Sequence, residues 1–307
     1  PYSVVFSRHQ PDHPVLLVAD YYVGSLINQP TWIEDIRSFR AVMLPLDLPP
    51  QDGDLERFLP KGIDGVPWAC NLRTHYANNI AQSCREAMTD LGLGSGRVAF
   101  DDLRFGQQLG METIEVVDGY DPMMYARCVK TDVEIELLKR ATAVNEEAIC
   151  RSINMWSRGM MWQEFNHEYH KAVIELGGFV RDPGAMVWGH PCGGDPAVTL
   201  QSRLDDFVME PGTNILFDCH GTIDLYCWDG GKTWVVDGEL KGDAKQYANA
   251  TAAAATAVME AMRPGARISE LQRVGRAVYR KSGVAGTCLL YTSDAADDTP
   301  CVDLGGR

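Results

Sequence analysis

Two stretches of period-two patterning, residues 214–224 and 226–237, follow each other with a single residue between them. Strands this close in sequence leave room only for a tight turn, here around Thr222, Ile223 and Asp224, so the two must pair antiparallel. Asp218 and Asp229 lie eleven residues apart on this pair. The expectation is that the two carboxylates face each other across the ladder, where opposed side chains are about 5 Å apart. Like charges at that separation repel unless a cation lies between them. Oxygen ligands on a rigid sheet suit a hard or borderline divalent metal. The plain alternative is a pair of solvated strand carboxylates.

The region before this hairpin has a different period. Residues 130–156 place Ile135, Leu138, Ala141, Val144 and Ala148 at three- and four-residue spacing, which predicts a long amphipathic helix. Thr131 is its N-cap and Glu134, three residues on, completes a capping box. A second helix is predicted at 162–176, ended by Gly177-Gly178, and a strand at 184–188. Beyond the hairpin, an Ala-rich helix at 242–262 stops at Pro264-Gly265, and another covers 268–282. The first ~125 residues alternate strand and helix signals, as expected of a small α/β domain. Its strands are predicted at 3–6, 14–19, 39–44 and 97–100, its helix at 76–91, and a loop dense in Pro and Asp at 45–53.

Composition narrows the function classes. The formal charge is −14, which argues against nucleic acid or an anionic membrane as partner. No apolar run reaches the ~18 residues of a membrane-spanning helix. Seven cysteines (Cys70, Cys84, Cys128, Cys150, Cys192, Cys219 and Cys227) are dispersed without a CxxC motif, as expected of reduced thiols in a cytoplasm. The other two, Cys288 and Cys301, lie in a segment with a separate explanation. Residues 288–307 back-translate into two blocks that resemble the two ends of a transposase-type sequencing adapter, with a gap where its index sits. The expectation is a non-native tail after Thr287, to be left out of fold reasoning. The chain opens on Pro1 and enters a strand pattern at once, so truncation is expected at the front as well.

The segment EPGTNILFDCHGTIDLYCWDGGKTW, with its Pro211-Gly212 turn and its two Asp, resembles the creatinase/aminopeptidase P/methionine aminopeptidase family, the "pita-bread" metallohydrolases. RCVKTDVEIELLKRA at 127–141 and the helices around Arg263-Pro264-Gly265-Ala266 resemble the same family. The last part of the motif departs from the family's D-x-T-R-T pattern: Gly231 stands for the first Thr and Lys232 for Arg. The resemblance implies an α/β N-terminal creatinase-like domain at 1–126. It also implies the first half of an α+β pita-bread domain at 127–287, the second half being missing. It implies two divalent ions (Mn, Co, Zn or Fe), with Asp218 bidentate and Asp229 bridging. A further His and two Glu would complete the ligand set, and no His lies between Asp229 and Thr287. The implied substrate is a small peptide with Pro in second position, and the implied full-length assembly is a homodimer.

Two histidines are candidates for catalysis. His190, in WGHPCGGDPAVTLQSR, lies near the place where the family's peptidases carry an upstream His; the aligned position holds Ala197. His190 is either an active-site residue or a loop and capping histidine. His220, where the family usually has Gly, shares a strand face with Asp218. It is an extra metal ligand, an acid/base, or a residue packed beside the site. His220, Lys232 and the missing upstream His favour a small-molecule rival on the same fold, a creatinase-like amidinohydrolase or a dimethylsulfoniopropionate lyase. A non-catalytic pita-bread binding protein is the rival from another class, and the two retained Asp argue against it. His167 and His170 read as surface residues, Trp188, Trp228 and Trp234 as core or pocket wall, and Gly92 to Gly96 as a helix C-cap and turn.

Overall fold

β8, at Asn214–Ile223, is the central strand of the sheet that carries both aspartates, and its odd and even residues part company. Ile215, Phe217, Cys219 and Ile223 are buried, whereas Asp218, His220 and Thr222 are half-exposed on the opposite face. The computed structural model describes residues 2–29, 31–41, 54–180, 186–194, 200 and 205–283. The predicted loop at 45–53, Ala197, the start of the strand at 184 and the tail at 288–307 lie outside them. The chain divides into two units, Pro1–Ala126 and Arg127–Arg307.

In the first unit, β1 (Tyr2–Ser7) pairs antiparallel with β2 (Gln10–Ala19). After α1 (Ser25–Asn28), β3 (Asp35–Phe39) pairs parallel with β2. The apolar run of β2 is buried on both faces, as in a sheet covered on each side. Val15, Leu17 and Ala19 pack with Cys84, Ala87 and Met88 of α3 (Ile80–Asp90). Leu16 and Val18 pack with Leu26 and with Leu72 of α2 (Ala69–Thr74). Of the strand predicted at 39–44, residues 42–44 lie outside the described ones; the described strand, β3, precedes it, and Asp35 and Arg37 hid it from the apolar pattern. Arg37 is buried and its charge is met by Asp35 at 2.8 Å and Asp90 at 2.6 Å. A second parallel pair, β4 (Gly96–Phe100) and β5 (Ile114–Asp118), is joined through α4 (Leu103–Gln108). α3 begins at an Asn79 cap rather than at 76, and Gly92, at φ +72°, accepts the left-handed turn that ends it. α5 (Tyr120–Cys128) carries the boundary between the units.

In the second unit, α6 (Asp132–Met155) begins with the predicted box. Thr131 Oγ1 accepts from the Glu134 N–H at 3.3 Å, and the Thr131 N–H donates to Glu134 Oε2 at 2.8 Å. α7 (Trp162–Glu175) lies beside α6. Phe165, Tyr169 and Val173 of α7 join Ala141, Val144 and Ala148 of α6 in one core with the odd residues of β8. β6 (Phe179–Val180) and β7 (Met186–His190) pair along one edge of β8, all antiparallel. β9 (Tyr226–Gly230) and β10 (Thr233–Val235) pair along the other. The strand predicted as continuous over 226–237 is thus broken at Gly231-Lys232, but its register runs on unchanged: Tyr226 faces Ile223 and Val235 faces Asn214. α8 (Gly242–Ala261) and α9 (Ile268–Lys281) form a helical hairpin around Ala250, Ala254 and Tyr279, with the Tyr279 and Thr251 hydroxyls hydrogen-bonded. Among the described residues no helix is long and apolar enough to cross a membrane.

Candidate metal centre

The turn between β8 and β9 fixes the geometry of the candidate site. It lies at Asp224-Leu225, not at Thr222 to Asp224, and both residues have positive φ, 50° and 67°. Two consecutive left-handed residues make the type I′ turn whose twist matches a hairpin. Arg140 of α6 donates to Asp224 at 2.6 Å and ties the turn down.

With a two-residue loop, the residue opposite Asp229 is His220. The expected face-to-face pair of carboxylates is therefore corrected. Asp218 lies two residues further along β8, diagonal to Asp229 and level with the break at Gly231. All three side chains stand on one face of the sheet. His220 Nδ1 is 3.1 Å from Asp229 Oδ1. One ligand atom from each of Asp218, His220 and Asp229 lies within 4.8 Å of the other two.

His190 does not join them. It pairs with Asn214, four residues from Asp218 along β8, which at the rise of a strand is about 13 Å. His167 is exposed, as expected, but His170 is half-buried: it follows Tyr169 on the side of α7 that turns toward the core. Trp228 is in the core and Trp234 packs against it; the Trp188 side chain lies outside what is described.

The backbone beneath the three donors is held by a polar network that the sequence reading passed over. Asn145 Nδ2 donates to the Gly230 carbonyl at 2.9 Å, next to Asp229. The Tyr169 hydroxyl donates to Asn145 Oδ1 at 2.8 Å and accepts from Trp228 Nε1 at 3.3 Å. The signal was present: Asn145 interrupts the apolar face of α6 immediately after Val144 and three residues before Ala148. Gly221 allows the Trp228 indole to lie against β8, since a Cβ there would overlap the ring. Cys219, between the two site residues of β8, points into this core, and burial pushes its thiol up to about 12. It remains protonated near neutral pH and takes no part on the opposite face.

The departure at Gly231-Lys232 also has a local reason. A Cβ on Gly231 would run into the backbone carbonyl of Phe217. The Lys232 ammonium meets Glu146 of α6 at 3.2 Å. A cleft of about 350 Å³ opens beside Asp229, lined by Asn145, Glu146, Trp228, Gly231 and Lys232 among others. The donor set, two carboxylates and an imidazole on a fixed sheet, suits a divalent cation.

Comparison with known proteins bears on the same segment. Residues 136–296 match the profile of metallopeptidase family M24. The chain is 21% identical over 229 residues to the Xaa-Pro dipeptidase of Homo sapiens, an alignment that covers 73% of this chain and 44% of that protein. The chain thus spans less than half the length of this relative. Among solved structures it is similar in fold to the X-Pro aminopeptidase from Thermotoga maritima, with a TM-score of 0.60 and 17% identity over 91% of this chain and 68% of that one. It is also similar to the prolidase from Pyrococcus furiosus, with a TM-score of 0.56 and 15% identity over 89% of this chain and 67% of that one.

Proposed function

The chain belongs to metallopeptidase family M24, and from that premise we propose that it is part of a metal-dependent peptidase acting on small Xaa-Pro peptides, with Asp218 and Asp229 as metal ligands. Its fold is the one the motifs implied, an α/β unit followed by a pita-bread α+β unit. The observation that carries the proposal is the convergence of Asp218, His220 and Asp229 within 4.8 Å, on one sheet face inside the matched segment. The Xaa-Pro substrate is taken from the name of the human relative, an Xaa-Pro dipeptidase.

Asp218 and Asp229 hold divalent ions from two neighbouring strands, so the separation of their carboxylates is set by the β8–β9 register. When bound, such ions lower the pKa of water toward neutrality and polarise a scissile carbonyl. The chain's own part is to fix the donors. Asn145 anchors the Gly230 carbonyl, Trp228 and Tyr169 fill the space beneath Asp229, and the sheet leaves the donor face open to a substrate. Lys232 pairs with Glu146 of α6, on the side of the sheet away from the donor face, and ties the break between β9 and β10 to that helix.

A dinuclear centre takes about four or five protein ligands, and among the described residues Asp218, His220 and Asp229 are three. The expectation is therefore metal binding without turnover of an Xaa-Pro peptide. The test is to purify it, add manganese, cobalt or zinc, and assay Xaa-Pro dipeptides beside creatine and dimethylsulfoniopropionate. Divalent-ion binding lost in Asp218→Ala and Asp229→Ala, without turnover, is the expected result. Turnover that disappears in Asp218→Ala would mean that these residues already complete a site. A second reading, a small-molecule enzyme on the same fold, is favoured by His220 standing against Asp229; turnover of creatine or the sulfonium substrate rather than a dipeptide supports it.

A further inference from the structure

We infer that His220 is a third protein ligand, sharing one metal ion with Asp218 and Asp229, and that it biases this position toward zinc or cobalt over manganese. The inference rests on the reading of Asp218 and Asp229 as ligands and adds to it the identity of the ion they favour.

Three observations carry it. Alternation along β8 puts His220 on the same face as Asp218, both half-exposed, with Cys219 between them turned into the core. The two-residue turn then sets His220 directly across from Asp229. The imidazole Nδ1 is 3.1 Å from the Asp229 carboxylate. Two donor atoms in adjacent positions around one ion, each on a bond of about 2.0–2.1 Å, are themselves about 3 Å apart. The His220–Asp229 separation already has that value. Asp218 closes the remaining gap by side-chain rotation, since its carboxylate is within 4.8 Å of both.

With Nδ1 turned to Asp229, the ring already reaches the carboxylate that would itself hold the ion, so a shared cation replaces this contact without a change of backbone. The backbone at both donors is rigid: Gly221 is packed by Trp228, and Gly230 is hydrogen-bonded to Asn145. Replacing one oxygen donor by imidazole nitrogen shifts preference along the divalent series away from Mn²⁺ and toward Co²⁺ and Zn²⁺.

The test uses the full chain and the metals alone. Calorimetric titrations with ZnCl₂, CoCl₂ and MnCl₂ compare the wild type with His220→Ala, His220→Gln, Asp218→Ala and Asp229→Ala. Both His220 variants are expected to lose on the order of 10–100-fold in Zn²⁺ affinity and less in Mn²⁺ affinity, while the Asp variants lose binding of all three ions. On the wild-type protein, the Co²⁺ complex is expected to show a paramagnetically shifted, exchangeable imidazole N–H resonance, which tests the ligand even if a variant folds poorly. If the Asp variants abolish binding while His220→Ala and His220→Gln keep the wild-type Zn²⁺ affinity and the resonance is absent, the His220 assignment is wrong and the two-Asp reading stands. If the Asp variants also bind as wild type does, the site reading itself fails.

Discussion

Tyr169→Phe removes the one oxygen that links Asn145 to Trp228 in this core. Tyr169 is fully buried, and Trp228 nearly so. Without the hydroxyl, Trp228 Nε1–H loses its acceptor at 3.3 Å and Asn145 Oδ1 loses its donor at 2.8 Å. A buried polar group left without a partner costs about 1–3 kcal/mol. Two of them give about 2–6 kcal/mol, a large share of the roughly 5–15 kcal/mol that holds a domain together. The assay is urea unfolding followed by far-ultraviolet circular dichroism. With a slope of about 1–3 kcal/mol per molar, the midpoint should fall by about 1–2 M. Asn145→Ala should be less than additive with Tyr169→Phe, because the first change already removes part of what the second breaks. A loss under about 0.5 kcal/mol, or strict additivity, would refute the claim that these hydrogen bonds act as one network beneath the donor face.

Other outcomes follow from single residues. Leu225 holds φ at 67° with its side chain almost wholly exposed; Leu225→Gly relieves a left-handed conformation worth about 1–2 kcal/mol, less the added freedom of the unfolded chain, and should raise stability by about 0.5–1 kcal/mol in the same urea assay. Gly231→Ala forces a methyl against the Phe217 carbonyl; a destabilisation of about 1–3 kcal/mol is expected, with weaker divalent-ion binding, because Gly231 lies level with Asp218. Burial pushes the Cys84 thiol up to about 11 in the first unit. The unfolded thiol ionises near 8.5, so Cys84 contributes stability that is fully present below that pH and is lost as pH rises toward about 11. Urea midpoints measured across this range should fall in the wild type and fall less in Cys84→Ala.

What the sequence made legible, and what it hid, divides along physical lines. The capping box at Thr131 and Glu134 is local chemistry and is found where it was expected. The alternation of β8 is equally plain, since burial on one face leaves its mark at every second residue. The pairing partner of Asp229 was misplaced because register depends on loop length, and nothing in Thr222 to Leu225 announces a two-residue turn without glycine. β3 was misplaced because a buried arginine with two aspartate partners looks like surface in a linear pattern. β5, β6, α1, α2, α4 and α5 were not anticipated; they are short and carry weak periodicity. Asn145 and Tyr169 went unnoticed because the strand atoms they hold lie 85 and 59 residues away in sequence.

The Asp224-Leu225 turn has a consequence for how relatives of this chain can vary. Surface loops ordinarily absorb insertions and deletions with little effect, and this one is exposed at its tip. Yet one added residue would slip β9 by a single step against β8. Trp228 would then turn to solvent, and Asp229 would be driven into the apolar layer beside Tyr169. The slip would travel on through β10, because the register is unbroken from Tyr226 to Val235. In homologues that keep a metal, these two turn residues should therefore vary among types that accept a positive φ while their number stays fixed: a loop held to its length by the side chains it brings together at the far end of the strand.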